Sequence, residues 1–264
     1  MNDLPGFEAL SLSREGRRLT ITMNRPDVLN AFNRAMHVEL IEALHFAASD
    51  DGTDVIVLTG AGRAFSAGGD LDQMQAVIAN PEMFDREAAD AKRLVFALLD
   101  IEKPVIARVN GPAVGLGSTI ALLCDVSFVA ESARIGDPHV AVGLVAGDGG
   151  AVIWPQLIGF ARAKEYLMTG KLLTAAEAAA IGLVNHAVPD AELDAKVDAF
   201  CHQLLEGATQ AIRWTKTTIN LELKRIAHAV MDAGIAYESL SVRTPEHKRR
   251  VEAMRSRMDA KKAK

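Results

Sequence analysis

Two glycine-rich turns each follow an apolar run, and turns of this kind can aim backbone N–H groups at a bound oxygen. The first is Phe65-Ser66-Ala67-Gly68-Gly69-Asp70-Leu71. The second is Gly111-Pro112-Ala113-Val114-Gly115-Leu116-Gly117, which runs into a helical pattern. Glycine lets the backbone approach a ligand closely. A helix start adds unpaired N–H groups and a dipole that favours negative charge. Two such donors on one oxygen form an oxyanion hole, and losing one costs ~3–4 kcal/mol in the transition state of comparable sites. Glycine turns also serve as plain connections, so spacing alone leaves both readings open.

Other familiar chemistries fail on their spacing. Gly60-Ala61-Gly62 follows an apolar run, but a dinucleotide fingerprint needs a third glycine where Phe65 stands. There is no phosphate-binding Walker sequence, no HExxH and no EF-hand loop. Ala64-Phe65-Ser66-Ala67-Gly68 resembles a nucleophile elbow. Ser66, however, lies well past the strand end at Gly60, and His139 before Asp148 reverses the order expected of that fold.

The elements that must carry these turns alternate between strand and helix. Arg18 to Met23 alternates and is rich in β-formers, as a strand is. Asn33 to Ser49 sets Met36, Leu40, Leu44 and Ala47 on one helical face. Asp54 to Thr59 and Pro104 to Val109 read as buried strands, with a helix over Glu82 to Asp100 between them. Val126 to Ala130 is a further strand, and from Gly149 onward the pattern is almost all helical. Such alternation predicts an α/β class, with an α/β core over residues 1–200 and a helical region over 201–264. The walls of a substrate pocket are expected from residues 72–95.

The chain of 264 residues is 49% hydrophobic, enough for a buried core and too much for a disordered chain. With 34 acidic and 29 basic residues the net charge is −5, which argues against a nucleic-acid partner. The cluster Lys248, Arg249, Arg250, Arg255 and Arg257 reads as a solvated face, or more sharply as a contact to a ligand phosphate. Cys124 and Cys201 form neither a disulfide framework nor a zinc spacing, and no metal site is expected. The N-terminus lacks the pattern of a signal peptide and no apolar run spans a bilayer, so a reducing cytoplasm and no membrane partner are expected.

Several segments carry a family resemblance. Asn24-Arg-Pro-Asp-Val-Leu-Asn-Ala31, Ala64-Phe-Ser-Ala-Gly-Gly-Asp-Leu71 and Val109-Asn-Gly-Pro-Ala-Val-Gly-Leu-Gly117 with Cys124-Asp125 resemble the crotonase superfamily, the enoyl-CoA hydratase/isomerase family. Arg134 to Gly150, Leu167 to Gly170 and Ala180 to Val184 continue the match over nearly the whole chain. The resemblance implies a spiral of ββα units, a helical C-terminal region that trimerises, and a homotrimer or dimer of trimers. It implies an acyl-CoA substrate, with coenzyme A as part of that substrate and no separate cofactor. On the matching positions, the N–H groups of Ala67 and Leu116 would hold a thioester enolate. Val28, Leu29 and Ala31, with Ala67, Gly68, Gly69, Asp70 and Leu71, would lie along the CoA moiety.

The chain departs from that family where hydratases carry two glutamates, which add water across a double bond by accepting one proton and donating another. Thr119 and His139 stand there instead. Gly143 to Pro155 resembles 6-oxocamphor hydrolase, a superfamily member that cleaves a cyclic β-diketone without CoA. That likeness implies a catalytic pair of His139 and Asp148, with Glu238 as a further site residue. In this reading a neutral His139 takes a proton from water, while Asp148 on its other nitrogen fixes the tautomer. The plainer reading has His139 packed, Asp148 capping the helix near Gly149, and Glu238 on a helix surface. Three functions follow: a hydratase- or isomerase-like acyl-CoA enzyme, a hydrolase of β-dicarbonyls, and a binding member of the family without catalysis. The remaining histidines, His37 among them, read as packed or solvent-facing.

Overall fold

A computed structural model describes residues 4–262. The chain opens with β1 (Leu10–Glu15), β2 (Arg18–Met23), α1 (Arg34–Ser49), β3 (Val55–Gly60), α2 (Leu71–Ala79) and α3 (Glu82–Asp100). It continues through β4 (Val105–Val109), β5 (Ala113–Val114), α4 (Leu116–Leu123), β6 (Val126–Ala130), β7 (Arg134–Gly136) and α5 (Gly150–Thr169). It closes with β8 (Leu173–Thr174), α6 (Ala175–Ala180), β9 (His186–Val188), α7 (Leu193–Glu206), α8 (Thr209–Val242) and α9 (Pro245–Lys262).

The larger sheet has the order β1-β2-β3-β4-β6-β9, and the smaller one β5-β7-β8. Only β1 runs antiparallel to its neighbour in the larger sheet, because a two-residue turn at Gly16-Arg17 joins it to β2. From β2 onward every pairing in that sheet is parallel. Every residue of β3 is buried, as a strand covered on both faces requires. The strand β9 is not predicted by the sequence pattern. It has three residues, too short for a periodicity to register, and it pairs with β6 with His186 stacked on Phe128 at 4.6 Å.

The helix α1 follows its sequence pattern closely. Asn33 caps it by accepting from the Met36 N–H at 3.0 Å, and Met36, Leu40, Leu44 and Ala47 are all buried. Its far end is closed by Lys103, whose buried ammonium donates to the carbonyls of Ala47 and Asp50, both at 2.7 Å. The boundary placed at residue 200 falls inside α7, whose Leu193, Val197 and Cys201 are buried against the sheet. The chain breaks instead at Gly207, before α8.

On α8 the buried residues include Ala227, Met231, Gly234, Glu238 and Val242. Their spacing is that of one helical face. Glu238 therefore sits on the stripe that packs inward, which removes the plainer reading of it as a helix-surface residue. Gly234 lets the loop at Gly147 approach: a Cβ on Gly147 would meet the Gly234 carbonyl oxygen at 2.3 Å. That contact seats Glu238 beside the loop carrying Asp148.

Candidate active site

The two glycine-rich turns are zipped together by backbone hydrogen bonds. The Pro112 carbonyl accepts from the N–H groups of Phe65 at 3.1 Å and Ser66 at 3.0 Å, and the Ser66 carbonyl accepts from Val114 at 2.9 Å. Gly68 has a φ of +86°, and a Cβ there would lie 2.7 Å from the Val114 carbonyl oxygen, so only glycine allows the approach. The Ser66 hydroxyl donates to the Asn30 carbonyl at 2.8 Å and accepts from Gly68 at 3.2 Å. It is a structural tie, in keeping with its failed elbow spacing.

This zipper decides which N–H groups are free. Ala67 donates to the Leu29 carbonyl at 2.9 Å, so its N–H is already used. The assignment of Ala67 as an oxyanion donor is corrected on that ground. Phe32 donates to Gly68 O at 2.7 Å and accepts from Asp70 N–H at 2.9 Å. In such a bridge the intervening N–H, that of Gly69, faces away from Phe32. Neither Gly69 nor Leu116, the first residue of α4, has an acceptor for its N–H among the described residues. Both line one cavity of about 140 Å³, together with His139, Asp148 and Glu238.

A groove of about 370 Å³ adjoins the cavity and shares Gly69, Asp70, Met74 and His139 with it. Val28, Leu29 and Ala31 from one loop and Ala67 through Leu71 from the other all line it. Asp70 acts through the backbone here, because its carboxylate caps α2 and pairs with Arg25 at 3.0 Å. From the basic C-terminal cluster, Arg255 reaches the groove and pairs with Asp72 at 2.6 Å. Met74, Val77 and Phe84 bear out residues 72–95 as a source of pocket wall.

His139 stands between two carboxylates. Nδ1 meets Asp137 Oδ1 in a short hydrogen bond, and Nε2 lies 3.3 Å from Asp148 Oδ2. The partner on Nδ1 is thus Asp137, which no sequence motif marks, and Asp148 takes Nε2. Asp148 does not cap α5 either, since no side chain does. Burial alone would strip a proton from the ring, but the charges of Asp137 and Asp148 outweigh it and hold His139 well above the usual histidine range. The neutral His139 base expected from sequence does not fit a ring held between two carboxylates. Burial likewise pushes Asp148 up, yet the imidazolium prevails and keeps it below the usual carboxylate range. Three ligand atoms of Asp137, His139 and Asp148 lie within 4.8 Å of one another. Nδ1 is hydrogen-bonded to Asp137 and Nε2 faces Asp148, so both ring nitrogens are directed at carboxylates.

Glu238 behaves oppositely. Burial, reinforced by the negative charge of Asp148, pushes its carboxyl up to about 8. His37 also lines the cavity instead of facing solvent; burial lowers it against the pull of Asp148, Asp90 and Glu87. Thr119 is fully buried beneath Gly149 and lies outside the cavity lining. Asp148 Oδ1 is buried and has no hydrogen-bond partner among the described residues.

The Glu238 value has a consequence for stability. The folded protein keeps this proton to about pH 8, whereas the ordinary glutamate value is 4.5. Between those values the folded state binds more protons than the unfolded state, so this group's contribution falls as pH rises, by up to about 1.4 kcal/mol per pH unit. Glu238→Gln should remove that slope. Denaturant midpoints measured from pH 5.5 to 8 check it, and parallel slopes for variant and wild type would contradict it.

The fold is a mostly parallel sheet with helices, in which two zipped turns bring the N–H groups of Gly69 and Leu116 beside ionisable side chains in one cavity. The enoyl-CoA hydratase/isomerase family model matches residues 15–260. The crotonyl-CoA hydratase of Syntrophomonas wolfei is 35% identical over 216 residues, covering 81% of this chain and 82% of that one. An enoyl-CoA hydratase/isomerase structure from Mycobacterium paratuberculosis superposes with a TM-score of 0.90 at 38% identity, covering 96% of this chain and 100% of that one. A β-diketone hydrolase from the cyanobacterium Anabaena, bound to (S)-3-oxocyclohexyl acetic acid, gives 0.83 at 29% identity over 90% and 95% of the two chains. The chain belongs to the enoyl-CoA hydratase/isomerase family, within the crotonase superfamily. Among the described residues, no helix is long and apolar enough to cross a membrane.

Proposed function

We propose that this protein transfers protons on an acyl-CoA thioester, as an enoyl-CoA hydratase or isomerase does, through an enolate held by the N–H groups of Gly69 and Leu116. The observation that carries this reading is a pair of acids driven apart in one cavity. Asp148 is ionised and can accept a proton, while Glu238 is protonated and can donate one. Environments that separate two titratable groups in this way assign the base and the acid. The pair replaces the two glutamates missing at Thr119 and His139. As a proton leaves carbon, charge develops on the thioester oxygen, where preorganised N–H donors are worth most. Coenzyme A would lie in the groove from Val28 to Leu71.

A second reading is hydrolytic C–C cleavage of a β-dicarbonyl. Asp148 would activate water, and Glu238 would protonate the departing carbanion. The likeness to the β-diketone hydrolase favours it. Incubation with short enoyl-CoA thioesters in D₂O tests the first reading by deuterium at the α-carbon and loss of the conjugated-thioester absorbance. A panel of cyclic β-diketones, followed for carboxylic acid release, tests the second. Diketone cleavage with no thioester turnover transfers the assignment to hydrolysis, and inertness toward both substrates overturns both readings.

Self-association into a homotrimer or dimer of trimers is part of the same proposal. Phe160 and Met168 on α5, and Trp214, Ile219, Leu221 and Leu240 on α8, are exposed apolar side chains that contact with further copies of the chain would cover. Sedimentation at micromolar protein should give a trimer or hexamer; a monomer would sink the idea.

A further inference from the structure

Asp137 takes no direct part in the proton transfer proposed above, yet its side chain is completely buried and ends on the ring that faces Asp148. Its Oδ1 accepts twice from the same residue: from the His139 backbone N–H at 3.3 Å and from ring Nδ1. We infer that Asp137 is a positioning residue for the reaction: by holding the Nδ1 proton it commits the Nε2 proton of His139 to Asp148 Oδ2, leaving Asp148 Oδ1 as the oxygen that exchanges a proton with substrate. The orphaned state of Oδ1 fits that role. The role rests on Asp148 being the base; the hold on the ring does not.

The plainer account is that Asp137 only closes an aspartate turn two residues before His139. Substitution by asparagine separates the two. In Asp137→Asn the backbone N–H of His139 keeps the amide oxygen at the Oδ1 position. That oxygen still accepts from Nδ1, so the turn survives. The charge that held the second ring proton is gone. Once the ring becomes neutral, its remaining proton goes to Nε2, where Asp148 is the one carboxylate left, and Asp148 loses the cation that held it ionised. The other titratable and charged groups lining the cavity are Asp148 on Nε2, Glu238 on α8, Arg34 and His37 on α1, Asp70 capping α2, Glu87 and Asp90 on α3, and His247 on α9, whose own ring bonds the Val142 carbonyl at 2.7 Å. None of them reaches Nδ1.

The test uses full-length protein labelled with ¹⁵N-histidine, with His139 signals assigned by their loss in His139→Gln. Wild type should show both ring nitrogens protonated at pH 8. Asp137→Asn should lose one proton at a lower pH than wild type does, because Asp148 is then the one carboxylate left on the ring. Its kcat profile for α-proton exchange should then break where that proton is lost, at a pH where the wild-type profile does not, with KM unchanged. A neutral His139 ring in wild type at pH 8 overturns the inference without any variant, which covers the case of a variant that does not fold. An Asp137→Asn protein that keeps both ring protons and the wild-type pH profile overturns it as well. A doubly protonated ring without turnover of any thioester or diketone leaves Asp137's hold intact and defeats the proposed function instead.

Discussion

Asp148→Asn should lower turnover by about 10²–10⁴-fold, the range for loss of a general base, while the protein stays folded. The substitution is nearly isosteric. The amide oxygen it introduces can still accept from His139 Nε2, 3.3 Å from the carboxylate in the native site. What disappears is basicity at the second oxygen, where the amide nitrogen is a donor with no lone pair to offer. One carboxylate remains on the imidazolium, that of Asp137. Comparing kcat for α-proton exchange in variant and wild type, with circular dichroism to establish folding, decides the matter. A variant within tenfold of wild type would remove Asp148 as the base, and the pairing with Glu238 would go with it.

Leu116→Pro should cost about 10²–10³-fold in kcat, the usual loss for one oxyanion donor. Leu116 is the first residue of α4, where proline fits because the N–H there has no helical partner. Proline deletes that N–H. It also removes a leucine side chain that is 5% exposed, so packing must be separated from chemistry. Leu116→Ala does this: it trims the same side chain and keeps the donor. If alanine costs as much kcat as proline, the N–H of Leu116 holds no developing charge. At Gly69 an added Cβ would lie 2.6 Å from Met74 Cε, the end of a flexible side chain, so Met74 must move aside for any substitution there.

Some of the site was legible and some was hidden in plain patterns. The order Asp-Pro-His at 137–139 is the spacing at which an aspartate side chain bonds backbone two residues on. That local rule is the one signal in the chain that points to Asp137. Glu238 lies at helical spacing with Ala227, Met231, Gly234 and Val242, so its inward face is written in the chain. The signal is masked because a lone glutamate on a long helix is usually solvated. His37 lies on the same helix as buried Met36 and Leu40, and only the cavity beside α1 distinguishes it from a packed histidine.

The sequence by itself determined the α/β class, four of the six strands of the larger sheet, the long helices, the family, the two turns that must approach a ligand, and the loss of the paired glutamates. These follow from local periodicity and from glycine at positions where a side chain would collide. Tertiary structure alone decided which N–H groups remain free and which charges meet. Ala67 is spent on Leu29, and Gly69 is released by its bridge to Phe32. His139 is held above the usual histidine range because Asp137 and Asp148 reach it from opposite sides, and Glu238 is pushed up to about 8 because α8 buries it beside Asp148. Hydrogen-bond satisfaction and proton occupancy depend on neighbours brought together across the fold, and no local pattern carries that information.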